Sequence, residues 1–349
     1  MRVCQVVPRY PPRTGGVETH VQELSERLVD REHDVTVVTA DYDDDVLRRE
    51  TRNGVTVCRH RGAAPGGAFH IAPGVARSVR RVDADVVHAH NYHSLPLLFA
   101  AFARGDARFV ATPHYHGESA SDFRDRLLTF YRPFGGWALR RADAVLAVSD
   151  WEQDRIAADF GVSATVAPNG IDIVRFSDAI PYNRERPYLL TVGRLEEDKG
   201  VQYAVRALSE LPEYDLIVAG SGGFSDALHE VAREVGVANR VEFLGYVPDS
   251  DLPKLYAGAA VFVTLSGFEA YGMTIGEALA AGTPCVVREA GALVDWTDRT
   301  DCVGVDDTAP GPVADAVKSA VGRVTEPESL PTWEDTVDNA LEAYTGAQR

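Results

Sequence analysis

The chain reads as an α/β protein built from two doubly wound, parallel-sheet domains, and three observations predict this. Short apolar runs recur along its 349 residues. They are continuously apolar rather than alternating, and each gives way to a loop and then to a helix-forming stretch. Strands that are apolar on both faces are buried on both, as in a parallel sheet covered by its crossover helices. The runs fall, in order, at residues 3–7, 35–39, 85–88, 110–112, 144–148, 188–192, 216–219, 261–265 and 283–287. The pattern restarts at Tyr188, after breakers at Pro168, Asn169, Gly170, Pro181, Asn183 and Pro187. A domain boundary is therefore expected between residues 173 and 174. Prolines at 327 and 331 interrupt the chain again, and residues 333–344 then read as one amphipathic helix.

Composition narrows the function classes. Hydrophobic residues make up 45% and charged residues 25%, the balance of a folded protein large enough for two cores. No apolar run approaches the ~20 residues that a spanning helix needs. The start, Arg2 followed by a strand-like run and Pro8, does not resemble a leader, so a cytoplasmic protein is expected. Cys4, Cys58, Cys285 and Cys302 stand singly, which predicts reduced thiols and neither disulfides nor structural metal.

The net charge of −17 argues against a nucleic-acid partner, because phosphate backbones recruit basic patches. There are three lysines, Lys199, Lys254 and Lys318, against 32 arginines. With abundant Asp and Glu, this composition predicts a halophilic protein. The acidity is uneven: residues 1–173 carry 21 basic and 23 acidic side chains, residues 174–349 carry 14 and 29. A near-neutral first half removes a repulsion toward an anionic acceptor or lipid, although the split also reads as one without function.

Candidate chemistry is concentrated after strand ends. Glu269 and Glu277 lie in FEAYGMTIGEALAAGTPCVV, the first in a loop containing Gly272 and the second in the helix that follows. Such a loop, feeding a helix start near Thr274, offers backbone amides and a favourable dipole to a diphosphate. The carboxylates could accept hydrogen bonds from sugar and ribose hydroxyls; taken alone, each also reads as a solvated charge. In VGRLEEDKG, Arg194 and Lys199 sit five residues apart between a strand and a helix, where both can reach a phosphate. Gly15 and Gly16, again after a strand, permit close approach of a ligand to a helix start. His88, His90, His93, His114 and His116 cluster at two strand ends, in a spacing that matches no standard zinc motif. They read either as core and loop histidines or as catalytic contacts, with His114 foremost. GSGG at 220–223 also admits a nicotinamide site, but departs from GxGxxG.

Together these segments resemble the family 4 glycosyltransferases of GT-B fold, through GGVE, DVVHAH, TPH, VAPNGID, VGRLEEDKG, LIVAGSGG, FLGYVPDSDLPKLYAGA and the Glu269–Glu277 pair, in that order. The resemblance implies two Rossmann-like domains facing each other across a cleft. The N-terminal, acceptor-binding domain would comprise residues 1–173 plus the crossing helix within 333–349, and the donor domain residues 174–332. It implies a retaining transfer of a hexose or N-acetylhexosamine from a nucleotide-diphosphate sugar to a glycan, lipid-linked or small-molecule acceptor, in cell-surface glycan assembly. No metal or other cofactor is implied. Arg194 and Lys199 would bind the donor diphosphate, with Gly15, the Gly16 amide and the backbone of Gly272, Met273 and Thr274. Glu269, with Ala270 and Tyr271 beside it, would meet the transferred sugar and Glu277 the ribose. Gly245, Tyr246 and Val247 would line the base. His114 would lie beside the donor sugar, with His116 as its alternative in the local HYH. Residues 123–141, rich in aromatics and holding five arginines, read either as a peripheral membrane contact at the inner face of the cell membrane or as an ordinary helix.

Overall fold

The computed structural model describes residues 1–41, 46–65, 69–117 and 122–346, with side chains from residue 126 onward in the last segment. It divides into two compact units, residues 1–170 with 333–349, and residues 171–332. The division falls three residues before the expected boundary.

In the first unit the chain runs β1 (Arg2–Val7), α1 (Gly16–Asp30), β2 (Asp34–Ala40), β3 (Arg49–Arg52), β4 (Val55–His60), α2 (Gly74–Arg81), β5 (Val86–His90), α3 (Leu95–Ala103), β6 (Arg108–Thr112), α4 (Asp122–Arg140), β7 (Ala144–Ala147), α5 (Asp150–Phe160) and β8 (Thr165–Val166). The sheet order is β3-β4-β2-β1-β5-β6-β7-β8. Helices cover both faces. Val21, Leu24 and Leu28 of α1 share one core with Val3, Val7, Val35 and Val37. Val75, Val79, Leu97, Ala100, Leu139 and Ile156, from α2 to α5, share the other with Val6, Val38 and Phe109. Each fully buried leucine or valine contributes about 1.5–3 kcal/mol, which is what the continuous apolar runs supply.

One edge departs from the all-parallel expectation. β3 pairs antiparallel with β4, since the two residues between them suffice only for a hairpin, and its charged RETR sequence suits the exposed edge. The Asn53-Gly54 turn joining them has φ of 48° and 80°, the left-handed pair that a two-residue hairpin requires.

The second unit contains α6 (Ile173–Ser177), β9 (Tyr188–Val192), α7 (Val201–Ala207), β10 (Asp215–Ala219), α8 (Ser225–Glu234), β11 (Val241–Gly245), α9 (Leu252–Gly258), β12 (Val261–Thr264), α10 (Met273–Ala280), β13 (Cys285–Arg288), β14 (Cys302–Val305) and α11 (Pro310–Ala320). Its six strands are all parallel, in the order β11-β10-β9-β12-β13-β14. The order reverses beside β9, so the loops after β9 and β12 open at a topological switch point. All four cysteines are free. Among the described residues, no helix is long and apolar enough to cross a membrane.

The last helix, α12 (Trp333–Thr345), packs in the first unit rather than beside α11, its neighbour in sequence. Val337, Ala340 and Tyr344 enter the α1 core. Arg31 pairs with both Glu334 and Asp338, and Thr336 donates to the Pro168 carbonyl at 2.9 Å. At the buried end, Gln5 Nε2 donates to the Tyr344 hydroxyl at 3.0 Å, and that hydroxyl lies 2.8 Å from His88 Nδ1. His88 Nε2 reaches Thr112 Oγ1 at 2.7 Å, and His90 Nε2 reaches Gln5 Oε1 at 2.8 Å. The histidines of DVVHAH are thus ties between the central strands and the last helix. Tyr344→Phe removes two of these bonds and strands their buried partners, at a cost of about 1–3 kcal/mol. Differential scanning calorimetry should show the first unit's transition falling by about 2–4 °C for each kcal/mol lost; an unchanged transition would mean the bonds contribute nothing net.

Candidate functional site

In the second unit, the loops after β9 and β12 are locked side by side. Gly200, at φ 70°, has no room for a side chain, since a Cβ there would stand 2.0 Å from the Leu265 carbonyl oxygen. The Gly267 amide donates to the Asp198 carbonyl at 2.8 Å. This close approach sets Lys199 Nζ 2.7 Å from Glu269 Oε1, with both side chains partly exposed. An ammonium has three donors, so Lys199 keeps two for an incoming anion while orienting the carboxylate. Arg194 lies on the outer lip of the same loop. Its side chain is 70% exposed and meets Glu196 at 2.8 Å.

α10 begins just beyond Glu269. Gly272, at φ 95°, is its N-terminal flanking residue. The amides at a helix start have no intrahelical acceptor, and together with the helix dipole they favour an anion. Met273 and Thr274, in this first turn, are half-buried. The Glu269 carbonyl accepts from Ala292 N at 3.2 Å, which pins the loop that also carries Ala270. Tyr271 is turned inward: its ring is buried against Trp296, and its carbonyl accepts from Trp296 Nε1 at 2.6 Å. It is therefore a packing residue of the loop.

Glu277, one helical turn farther on, accepts from the Tyr256 hydroxyl at 2.8 Å through Oε2. Burial pushes this carboxyl up to about 7, with Tyr256 and Arg175 pulling it back. Glu277 is thus a half-buried, hydrogen-bonded carboxyl rather than a fully solvated helix charge. Gly245 ends β11, and Tyr246 and Val247 follow it. The Gly245 carbonyl accepts from Gly220 N at 2.7 Å, and Tyr246 is largely exposed.

The first unit carries the remaining predicted residues. Gly15 flanks α1, and its Cβ position would fall 2.3 Å from a Glu18 carboxylate oxygen, whereas Gly16 faces open space. His114 lies two residues beyond the end of β6, in the left-handed region at φ 48°. The following turn is held by Glu152, which accepts from Tyr115 N at 2.5 Å and Val148 N at 2.6 Å. The His114 ring is buried beside His20 and His90, and nitrogens of the three lie within 4.8 Å of one another. Burial pushes His90 and His114 well below the ordinary histidine range, and His20 down to about 4. All three are neutral near pH 7, and His20 Nδ1, His90 Nδ1 and His114 Nε2 have no hydrogen-bond partner. Such a set can receive a polar ligand group or a metal ion. His116 lies apart, stacked on His93 at 3.9 Å. Sequence reasoning missed His20, Glu152, Arg175 and Tyr256. Tyr256 did lie within a quoted motif, LYAGA, but its partner Glu277 is 21 residues away.

Two family models match the chain. Residues 14–175 match Glycosyltransferase Family 4, and residues 174–301 match Glycosyl transferases group 1. A GDP-mannose-dependent alpha-(1-6)-phosphatidylinositol monomannoside mannosyltransferase of Mycolicibacterium smegmatis is 31% identical over 347 residues, covering 90% of this chain and 86% of that protein. Sucrose-phosphate synthase from Thermosynechococcus elongatus superposes with a TM-score of 0.81 at 19% identity, covering 99% and 98% of the two chains. Anabaena HepE in complex with UDP and glucose does so with a TM-score of 0.77 at 19% identity, covering 98% and 99%. With its two parallel-sheet units and this match to both family models, the chain belongs to the family 4 glycosyltransferases of GT-B fold and is a nucleotide-sugar glycosyltransferase.

Proposed function

We propose that this enzyme transfers a hexose or N-acetylhexosamine, with retention of anomeric configuration and without a metal ion, to a glycan, lipid-linked or small-molecule acceptor. The observation that carries this reading is the contact of Lys199 with Glu269 beside the start of α10. Leaving-group charge on a diphosphate must be stabilised as the glycosidic bond breaks. Here Lys199, Arg194 and the amides of Gly272, Met273 and Thr274 supply positive potential where other transferases use a divalent ion. Glu269, with Ala270, faces the transferred sugar, Glu277 the ribose, and Gly245, Tyr246 and Val247 the base. The acceptor oxygen bonds to the anomeric carbon on the face that the diphosphate leaves. Its proton passes to the departing phosphate oxygen, so a nucleoside diphosphate and a glycoside result. For His114, the neutral imidazole with a partnerless Nε2 supports contact with a ligand hydroxyl; His116 is the alternative. The solved complex of Anabaena HepE with UDP and glucose supports a diphosphate donor of this kind.

Lys199→Ala and Arg194→Ala should each fold normally and lower turnover by about two orders of magnitude or more. Wild-type turnover should persist in EDTA, with NMR showing the donor's anomeric configuration in the product. Near-wild-type rates in both variants, abolition by EDTA, or an inverted product would each contradict the proposal.

An acceptor at the inner face of the membrane fits the surface of α4. Phe130, Phe134, Trp137 and Arg141 follow at helical spacing; Phe130 is 76% and Phe134 49% exposed. Phe102 of α3, also exposed, stacks on Trp137 at 4.4 Å, and Arg141 lies over that ring. Aromatics flanked by arginines suit a lipid headgroup region. Phe123, within the same predicted stretch, lies outside the described side chains. The charge of −17 with only three lysines further suits a cytoplasm of high salt. Flotation with anionic liposomes in high salt should carry the wild type upward and leave Phe130→Ser/Phe134→Ser behind; failure of the wild type to float removes the membrane contact.

A further inference from the structure

Tyr256 has a task that the motifs do not reveal. Its side chain is fully buried, with its ring against Phe176 at 5.7 Å and Phe262 at 5.4 Å, and its carbonyl accepts from Thr283 Oγ1 at 2.5 Å. Ring and backbone are thereby fixed from α6, β12 and the turn after α10. The hydroxyl at the end of this rigid group donates to Glu277 Oε2 at 2.8 Å. A buried phenol aimed at a half-buried carboxyl is costly to maintain unless the bond is formed, and once formed it selects one orientation of the carboxyl. One carboxyl oxygen is committed inward, and the other is left to accept from a ligand.

We propose that Tyr256 is a positioning residue for nucleotide binding, holding Glu277 so that its second oxygen meets the hydroxyls of the ribose. This rests on the assignment of Glu277 to the ribose made above. Burial and the neighbouring Glu277 push the Tyr256 phenol well above its ordinary range, so it remains a donor at any working pH. The Glu277 carboxyl titrates at about 7, raised chiefly by burial, lowered by the Tyr256 bond and Arg175 of α6, and raised by Asp249 of the loop before α9. Charged Glu277 accepts from a diol better than the neutral acid does. Removing the phenol withdraws one of the influences that hold the carboxyl down, so its titration must move to higher pH.

The test is Tyr256→Phe, which keeps the ring and deletes only the donor. Affinities for UDP, GDP and ADP are measured by calorimetry, and the tightest ligand is compared with its 2′-deoxy and 3′-deoxy forms in wild type, Tyr256→Phe and Glu277→Gln. The expected result is a loss of about tenfold, or ~1.4 kcal/mol, for the ribonucleotide in Tyr256→Phe. Affinity for at least one deoxy form should stay within about twofold of wild type, and the pH midpoint of ribonucleotide affinity should move upward. Equal losses for all three ligands would mark Tyr256 as merely structural, and no loss would also overturn the proposal. If wild type and Glu277→Gln treat the ribo and deoxy forms alike, the ribose assignment itself fails and the proposal with it. If wild type discriminates and Tyr256→Phe discriminates equally well, only the role of Tyr256 is lost.

Discussion

A parallel sheet buried on both faces constrains everything else in this protein. Parallel neighbours must be re-entered through a crossover, so in the all-parallel second unit every loop that leaves a strand's carboxyl end emerges on the same edge. In the second unit, β9 and β12 are neighbours although about 70 residues separate their exits. The loops they feed are therefore adjacent, and Gly200 lets them touch. Lys199 meets Glu269 because of strand order and one absent side chain, not because of any local affinity between the two segments.

That arrangement also answers an electrostatic difficulty. Residues 174–349 carry 14 basic and 29 acidic side chains, a poor setting in general for an anionic ligand. Long-range repulsion in salt is screened over roughly 8–10 Å, so local charge decides affinity. Lys199 and the first turn of α10 concentrate positive potential where bulk composition would not suggest it. Lys199 and Arg194 each engage a carboxylate, Glu269 and Glu196 respectively, which orders the two cations without consuming all their donors.

Much of this was legible because chemistry in this fold is carried by strand ends. The apolar runs marked nine strands, and loop residues such as Arg194, Lys199 and Glu269 announced themselves by following them. Weaker elements were hidden for identifiable reasons. RETR, as β3, has no apolar face to betray a strand, although the Asn53-Gly54 pair beyond it was a readable hairpin signal. His88 and His90 looked like candidates for chemistry beside His114, yet their partners are Tyr344, Thr112 and Gln5, which no spacing connects to them. Tyr271 stood next to Glu269 in the motif but turned into the core.

The sequence by itself determined the class of fold, the family, and which loops carry ionisable side chains, since all three follow from local pattern and ordered motifs. Only the tertiary structure decided which of those side chains are paired, buried or neutral. Glu277 is raised by burial and held by a phenol 21 residues away, and Glu152 anchors the turn after His114 from another helix. Hydrogen-bond partnership and desolvation are properties of three-dimensional neighbourhood, and a pattern with a period of two or 3.6 residues carries no record of them.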